Sequence, residues 1–300
     1  MQAMSAPSSP PPAGDPRPIG VFDSGVGGLT VARALMDLLP EERVVYYGDT
    51  ARGPYGPRDL AEVRGFTAEI VGWLAAQDTK LVVAACNTAT AAALDPAQNV
   101  GLEPPDFPVP VVGVIAPAVR AAVAATRNGR VGVIGTVGTI GSGAYEHAVA
   151  QLAPDIDVVS QACPRFVELS EAGRTTDPDV LAVAREYLAP LQAAGVDTVI
   201  LGCTHYPLLT GVLSYVLGPG VALISSAEET ARAVFGTLID DGLLAHRHGD
   251  SSPPEHRFVA SGDPAAFARL AARFLGPRLS EPDVERAEPL RAPQPSGTGG

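Results

Sequence analysis

The side chains best suited to chemistry lie in two similar stretches, LVVAACNTAT at residues 81–90 and TVILGCTHYP at residues 198–207. Each is a short apolar, β-branched run ending in a small residue and a cysteine, with hydroxyl and amide or imidazole groups following. Such a run reads as a strand buried on both faces. Cys86 and Cys203 then stand at the carboxyl ends of their strands, where open α/β sheets place ligands. A lone cysteine there is usually a small packed hydrophobe. Two at equivalent ends of two similar units suggest thiols facing one small molecule from opposite sides. That arrangement suits taking a proton from one face of a carbon and delivering one to the other. Cys163 precedes a proline, lacks this context and reads as structural.

A thiol with its ordinary pKa of about 8.5 is only a few per cent ionised at neutral pH, so another group must take its proton. His205, two residues beyond Cys203, is the candidate relay on that side. For Cys86 the candidate is Asp23, in the turn Asp23-Ser24-Gly25-Val26-Gly27-Gly28. A fixed carboxylate raises a neighbouring thiol's pKa, so Asp23 helps only by accepting the proton as a substrate ammonium arrives. Capping the helix that begins near Gly27 is an equally simple use of Asp23. The glycine turn suggests backbone N–H groups aimed at an anion. It also resembles a broken dinucleotide fingerprint, with Thr30 at the third glycine and Asp49 at the ribose-binding acid. That reading leaves both cysteines and His205 unexplained. The chain has no Gly-Lys-Ser/Thr, CxxC, HExxH or GxSxG motif, and His246, His248 and His256 lie in a solvated loop with no ligand register for a metal.

Strands at 19–22, 43–47 and 81–85 alternate with helices at 29–39, at 60–74 by the spacing of Leu60, Val63, Thr67, Ile70 and Leu74, and from residue 88. The alternation predicts a parallel, doubly wound sheet. Proline-rich residues 103–110 mark a crossover, followed by strands at 111–114, 130–134 and 156–160 and helices at 117–126 and 142–152, with a turn at 135–139. Asp177-Pro178 caps a helix to residue 194. Beyond Pro207 come a helix to 217, a strand at 221–224, a Ser226/Glu229 capping box opening a helix to 244, a strand at 257–260 and a helix capped by Asp263-Pro264. IGVFDSGVGG at Ile19 resembles VGVIGTVGTI at Val131, and Cys86 answers Cys203, at the similar offsets of 112 (131 − 19) and 117 (203 − 86) residues. We read a duplication. The expected fold is two similar doubly wound α/β domains with mainly parallel sheets, related by a pseudo-twofold, with the active site in the cleft between them. Residues 18–110 and 218–276 form the first domain and 111–217 the second, between disordered tails at 1–17 and 277–300.

A net charge of −12 over 300 residues argues against a nucleic-acid or acidic-membrane partner. Three cysteines are too few for a disulfide framework and suit a reducing compartment. The N-terminus lacks the apolar core of a signal peptide, and no segment has the length and apolarity of a membrane span. A cytoplasmic location is expected.

Asp23-Ser24-Gly25-Val26-Gly27-Gly28-Leu29-Thr30, Tyr47-Gly48-Asp49, Pro54-Tyr55-Gly56, Cys86-Asn87-Thr88-Ala89-Thr90 and Cys203-Thr204-His205-Tyr206-Pro207 together resemble the glutamate racemases of the aspartate and glutamate racemase superfamily. Aspartate-specific members usually carry glutamate after the second Cys-Thr, so His205 favours glutamate. The resemblance implies a cofactor-independent, two-base racemase supplying D-glutamate for peptidoglycan. In it Cys86 takes the α-proton from D-glutamate and Cys203 returns one to the opposite face, the roles reversing for L-glutamate. Asp23 and His205 assist the thiols, and Asp49 and Glu171 match further helpful acids. Ser24, Tyr55, Gly56, Asn87, Thr88 and Thr204 match positions that hold the substrate's carboxylates and ammonium, and Thr136 adds a hydroxyl. A homodimer is implied, as is the association with DNA gyrase known among some members. Glu168 departs from the family's usual proline, placing an extra carboxylate near the cleft. A different class, a catalytically silent amino-acid sensor, would use the same cleft.

Overall fold

Short β-branched runs between helix-length stretches become parallel strands buried by helices on both sides, because each intervening helix carries the chain back across a face of the sheet. The computed structural model describes residues 14–94, 107–246, 252–276, 283–287 and 290. Its strands are β1 (Ile19–Asp23), β2 (Val44–Gly48), β3 (Leu81–Ala84), β4 (Val111–Gly113), β5 (Arg130–Gly135), β6 (Asp157–Ala162), β7 (Thr198–Gly202), β8 (Ala222–Ser225), β9 (Arg257–Ala260) and β10 (Val284–Arg286). Its helices are α1 (Leu29–Leu38), α2 (Leu60–Ala76), α3 (Asn87–Ala93), α4 (Ile115–Ala125), α5 (Val137–Gly141), α6 (Ala144–Leu152), α7 (Arg165–Glu171), α8 (Pro178–Ala194), α9 (Thr210–Leu217), α10 (Ser226–Asp240) and α11 (Pro264–Leu275).

Two parallel sheets result, ordered β10-β9-β2-β1-β3-β4 and β6-β5-β7-β8. The order β2-β1-β3-β4 recurs as β6-β5-β7-β8, so the repeat seen in the sequence reappears as topology. In each sheet the cysteine-bearing strand lies beside the glycine-turn strand: Ile19 pairs with Leu81 in one and Val131 with Thr198 in the other. The carboxyl ends of these central strands therefore gather Asp23, Cys86, Thr136 and Cys203.

Strand pairing corrects two assignments. Residues 111–113, expected to open the second unit, pair with β3 of the first sheet. The strand expected at 221–224 in the first unit pairs instead with β7 of the second. A buried parallel strand carries no mark of which sheet it joins, and a proline-rich loop marks a connection rather than a junction. Residues 284–286, expected in the disordered tail, form β10 against β9, with Ala287 N–H donating to Ala260 O at 2.8 Å. Its charged sequence hides a strand, although Val284 reaches the core and Glu285 pairs with Arg257 at 2.7 Å. At the other end, Lys80 donates to Asp15 O (2.9 Å) and Leu243 O (2.7 Å) and pairs with Glu42 (2.7 Å), so the described residues before Pro18 are tied to the fold. Residues 1–13 of the expected N-terminal tail, most of 277–300 and His248 lie outside the described residues.

Smaller differences have local causes. The turn expected at 135–139 continues into the short helix α5, because Thr136 caps it by accepting from Thr139 N–H. The Ser226/Glu229 box does not form: Ser225 is the N-cap and the Ser226 hydroxyl donates to Leu201 O at 3.4 Å. Asp177 and Asp263 cap α8 and α11 as expected. Among the described residues no helix is long and apolar enough to cross a membrane.

Candidate active site

The strand ends open on one cavity of about 610 Å3 that draws its lining from both sheets. From the first come Ser24, Tyr55, Gly56, Cys86, Asn87 and Thr88. Thr136, Glu171, Cys203, Thr204 and His205 come from the second. The two thiols thus face a shared space although 117 residues separate them in sequence (203 − 86). Cys163 is fully buried in the second sheet's core and its S–H donates to Gln161 O at 3.5 Å, in keeping with a structural role.

Hydroxyl and glycine contacts hold the two halves together around this space. Thr88 Oγ1 lies 3.0 Å from Thr136 Oγ1 and 3.1 Å from Thr139 Oγ1, and Gly138 N–H donates to Gly56 O at 2.8 Å. On the other side, Thr30 Oγ1 donates to Thr204 O at 3.2 Å. A Cβ at Gly27 would collide with Thr204 and His205, so the glycine turn is what lets the Cys203 loop approach β1.

Asp23 is buried beside the cavity rather than in its wall. Its carboxylate accepts from Gly25 N–H (2.9 Å) and from Thr204 Oγ1 (3.4 Å). It braces the turn, while Gly28 serves as N-cap of α1. Burial raises its pKa, opposed by the His205 charge and by N–H donors of Gly28 and Gly25. Cys86, at the N-cap of α3, is pushed up to about 12, first by burial and then by the Asp23 charge. The sequence reading anticipated that second effect. The free site therefore holds Cys86 as a thiol.

His205 spans the other half. Its Nδ1 is 3.8 Å from Cys203 Sγ and its Nε2 is 2.9 Å from Glu171 Oε1. Burial pulls the imidazole down, but hydrogen bonds to Cys203 and Glu171, with the charges of Cys203 and Asp23, outweigh it and raise the pKa to about 10. An imidazolium therefore stands beside Cys203 at neutral pH. Phe274 meets the imidazole edge-on, with ring centroids 5.7 Å apart.

Asp49 lies outside the cavity wall. Its carboxylate accepts from Arg52 Nε (2.7 Å), Ser261 Oγ (2.8 Å) and the Tyr55 hydroxyl. It holds the loop that presents Tyr55 and Gly56, so any influence on chemistry acts through them. This network also leaves no ribose-binding acid free at β2. Glu168 is exposed on the cavity's rim, as its place near the cleft suggested. Helix α11, expected from its Asp263-Pro264 cap, was not foreseen at the site, where it closes the cavity with Ala266, Phe267 and Leu270. An amphipathic helix announces a buried face but not that the face borders a site.

Known proteins share this architecture. The model of the Asp/Glu/Hydantoin racemase family matches residues 29–234. A glutamate racemase of Beutenbergia cavernae is 58% identical over 270 residues, covering 88% of this chain and 91% of the relative. The crystal structure of a glutamate racemase isoform from Bacillus anthracis aligns with a TM-score of 0.82 at 43% identity, covering 91% of this chain and 97% of that one. The Francisella tularensis glutamate racemase, solved with D-glutamate, aligns at 0.80 with 34% identity, covering 91% and 98%. With more than half of its length matched by the family model and most of it aligned with these racemases, this chain belongs to the Asp/Glu/Hydantoin racemase family, among the glutamate racemases, and is an amino-acid racemase.

Proposed function

We propose that the chain interconverts L- and D-glutamate without a cofactor, moving the α-proton between two cysteines, and so supplies D-glutamate for peptidoglycan. The observation that carries this reading is that Cys86 and Cys203, each buried and each from a different sheet, line one small cavity. From L-glutamate, the thiolate of Cys203, stabilised by the imidazolium of His205, takes the α-proton. The electron pair left on Cα spreads into the α-carboxylate. The Cys86 thiol then delivers its proton to the opposite face, giving D-glutamate. In the reverse direction Cys86 must ionise, with Asp23 accepting its proton while the substrate ammonium offsets the carboxylate's charge. The His205 imidazolium hands its Nδ1 proton to the Cys203 thiolate, which delivers it to the opposite face of Cα.

The α-proton is a very weak acid, so oriented donors in a water-poor site must stabilise the developing charge. Ser24, Asn87, Thr88, Thr136 and Thr204 are suitable donors, with Tyr55 and Gly56 holding the remainder of the substrate. Each thiol must nearly touch Cα for transfer, which favours tightening of the two halves on substrate.

Incubation with either enantiomer of glutamate in D2O tests the proposal. Deuterium is expected at Cα of the product enantiomer, with little exchange from aspartate. A silent sensor would exchange neither, and preferential exchange of aspartate would overturn the choice of substrate.

A further inference from the structure

Asn87 is placed next to Cys86, is 2% exposed and lines the cavity, yet its side chain is only half satisfied. Its Oδ1 accepts from the Tyr145 hydroxyl at 2.6 Å, whereas its Nδ2 is buried with no hydrogen-bond partner. An amide whose oxygen is claimed from one side must turn its NH2 to the other. We propose that Tyr145 is a positioning residue for the racemisation proposed above: it fixes the Asn87 amide with its donor end toward the substrate carboxylate that takes up charge when Cα loses its proton.

Three features make Tyr145 suited to this. It is 1% exposed on α6, so its hydroxyl exchanges little with water. Burial, and then the nearby Cys203, hold its phenol well above the ordinary range, so it is a hydroxyl donor throughout the working pH range. Its ring also occupies space that β7 leaves open. A Cβ at Gly202 would sit 3.0 Å from Tyr145 Cε2 and 2.8 Å from Ile134 O, so the glycine before Cys203 admits the ring behind that thiol. A side chain of the second half thereby orients a donor of the first, and the donor is correctly turned only when the halves are together.

Without the hydroxyl, Oδ1 and Nδ2 become nearly equivalent to their surroundings. Part of the population then turns a lone pair toward an anionic substrate. Tyr145→Phe removes one oxygen and keeps the ring, and is expected to lower kcat/KM about tenfold, the equivalent of one oriented hydrogen bond. On an Asn87→Ala background the same change should cost less than about twofold, because the group it orients is gone. Equal losses on both backgrounds would mean that Tyr145 acts by packing or through Cys203, and no loss in the first would equally overturn the proposal. A readout without substrate separates this from the racemase reading itself. In 15N-labelled protein the Asn87 side-chain NH2 signals, identified by their disappearance in Asn87→Ala, should form one pair that shifts or doubles in Tyr145→Phe. Unchanged signals overturn the positioning role even if the enzyme racemises glutamate. Shifted signals in a protein that exchanges no glutamate would uphold the orientation and sink the substrate assignment.

Discussion

The pairing of Glu171 with His205 makes a prediction whose size and sign both follow from geometry. Glu171 Oε1 lies 2.9 Å from Nε2 of an imidazole that is almost wholly buried, while the Glu171 side chain is 40% exposed. A hydrogen bond to a charged group contributes about 1.5–3 kcal/mol, and an exposed ion pair about 0–1 kcal/mol. Screened on one side, this pair should contribute about 1.4 kcal/mol, or one pKa unit. The imidazolium holds its proton to about pH 10. In Glu171→Gln it should lose that proton about tenfold more readily, near pH 9. His205 has its pKa raised above that of the unfolded chain. The stability tied to its charge is therefore complete below about pH 6.5 and is lost as pH rises through the folded value. Glu171→Gln should accordingly melt about 2–3 °C lower than the parent at pH 6, with the difference fading toward pH 10. A 15N titration of the His205 imidazole gives the pKa directly, and the alkaline limb of kcat should move down with it. An imidazole already neutral at pH 7 in the parent, or a melting deficit that grows with pH, would refute the reasoning.

Cys86→Ser and Cys203→Ser should each abolish racemisation, while Cys163→Ser, lying in the core away from the cavity, keeps most of it; equal damage from all three would count against the assignment of the thiols. Cys86→Ala should still exchange the α-hydrogen of L-glutamate in D2O through Cys203 but lose exchange from D-glutamate, and NMR of each recovered enantiomer reads this out. Glu168→Gln should lower KM for glutamate about twofold at low salt, the effect of one like charge on the order of 10 Å away in water, with the difference closing above about 0.5 M salt. Lys80→Met should destabilise the fold by about 3–5 kcal/mol in urea unfolding, since it strands the buried Glu42 carboxylate. Adding Glu42→Leu should recover only part of the loss, because Asp15 O, Leu243 O and Ala245 N–H still lack their partners.

The parts of this molecule legible in the sequence are those where local chemistry and function coincide. Cys86 and Cys203 could be found because a buried strand ends in a reactive atom followed by polar groups, a pattern packing alone rarely needs. The repeated strand order followed from the same two stretches. What escaped is long-range. The sheet joined by β4 or β8 depends on neighbours more than on residues, and β10 is a strand only because β9 offers an edge. Tyr145 looks like one more aromatic on an amphipathic helix until Asn87 of the other half is brought within 2.6 Å of it. Asp49 was visible as an acid at a strand end, but its three donors, one of them Ser261, show that it shapes a loop instead of facing the cavity.

The composition of the cavity bears on how such a site can act on an anion. Among the described residues its lining contains no lysine or arginine, and it carries Glu168, Glu171 and Asp263. A fixed cation already attracts the full charge of a glutamate carboxylate in the bound substrate, so most of its attraction lowers KM and only the remainder helps the chemical step. Short neutral donors bind a carboxylate modestly and gain most where charge accumulates, as on an α-carboxylate becoming an enediolate. The cation in this lining, His205, stands 3.8 Å from Cys203 Sγ, the thiol proposed to act on L-glutamate. Replacing Thr204 or Asn87 with lysine should therefore not mimic their function. It would introduce a charge that favours bound substrate and depresses the Cys86 thiol, the proposed proton donor in the L-to-D direction. Tighter glutamate binding with lower kcat is the expected result, and a lysine variant that raised kcat would contradict the account of charge in this site.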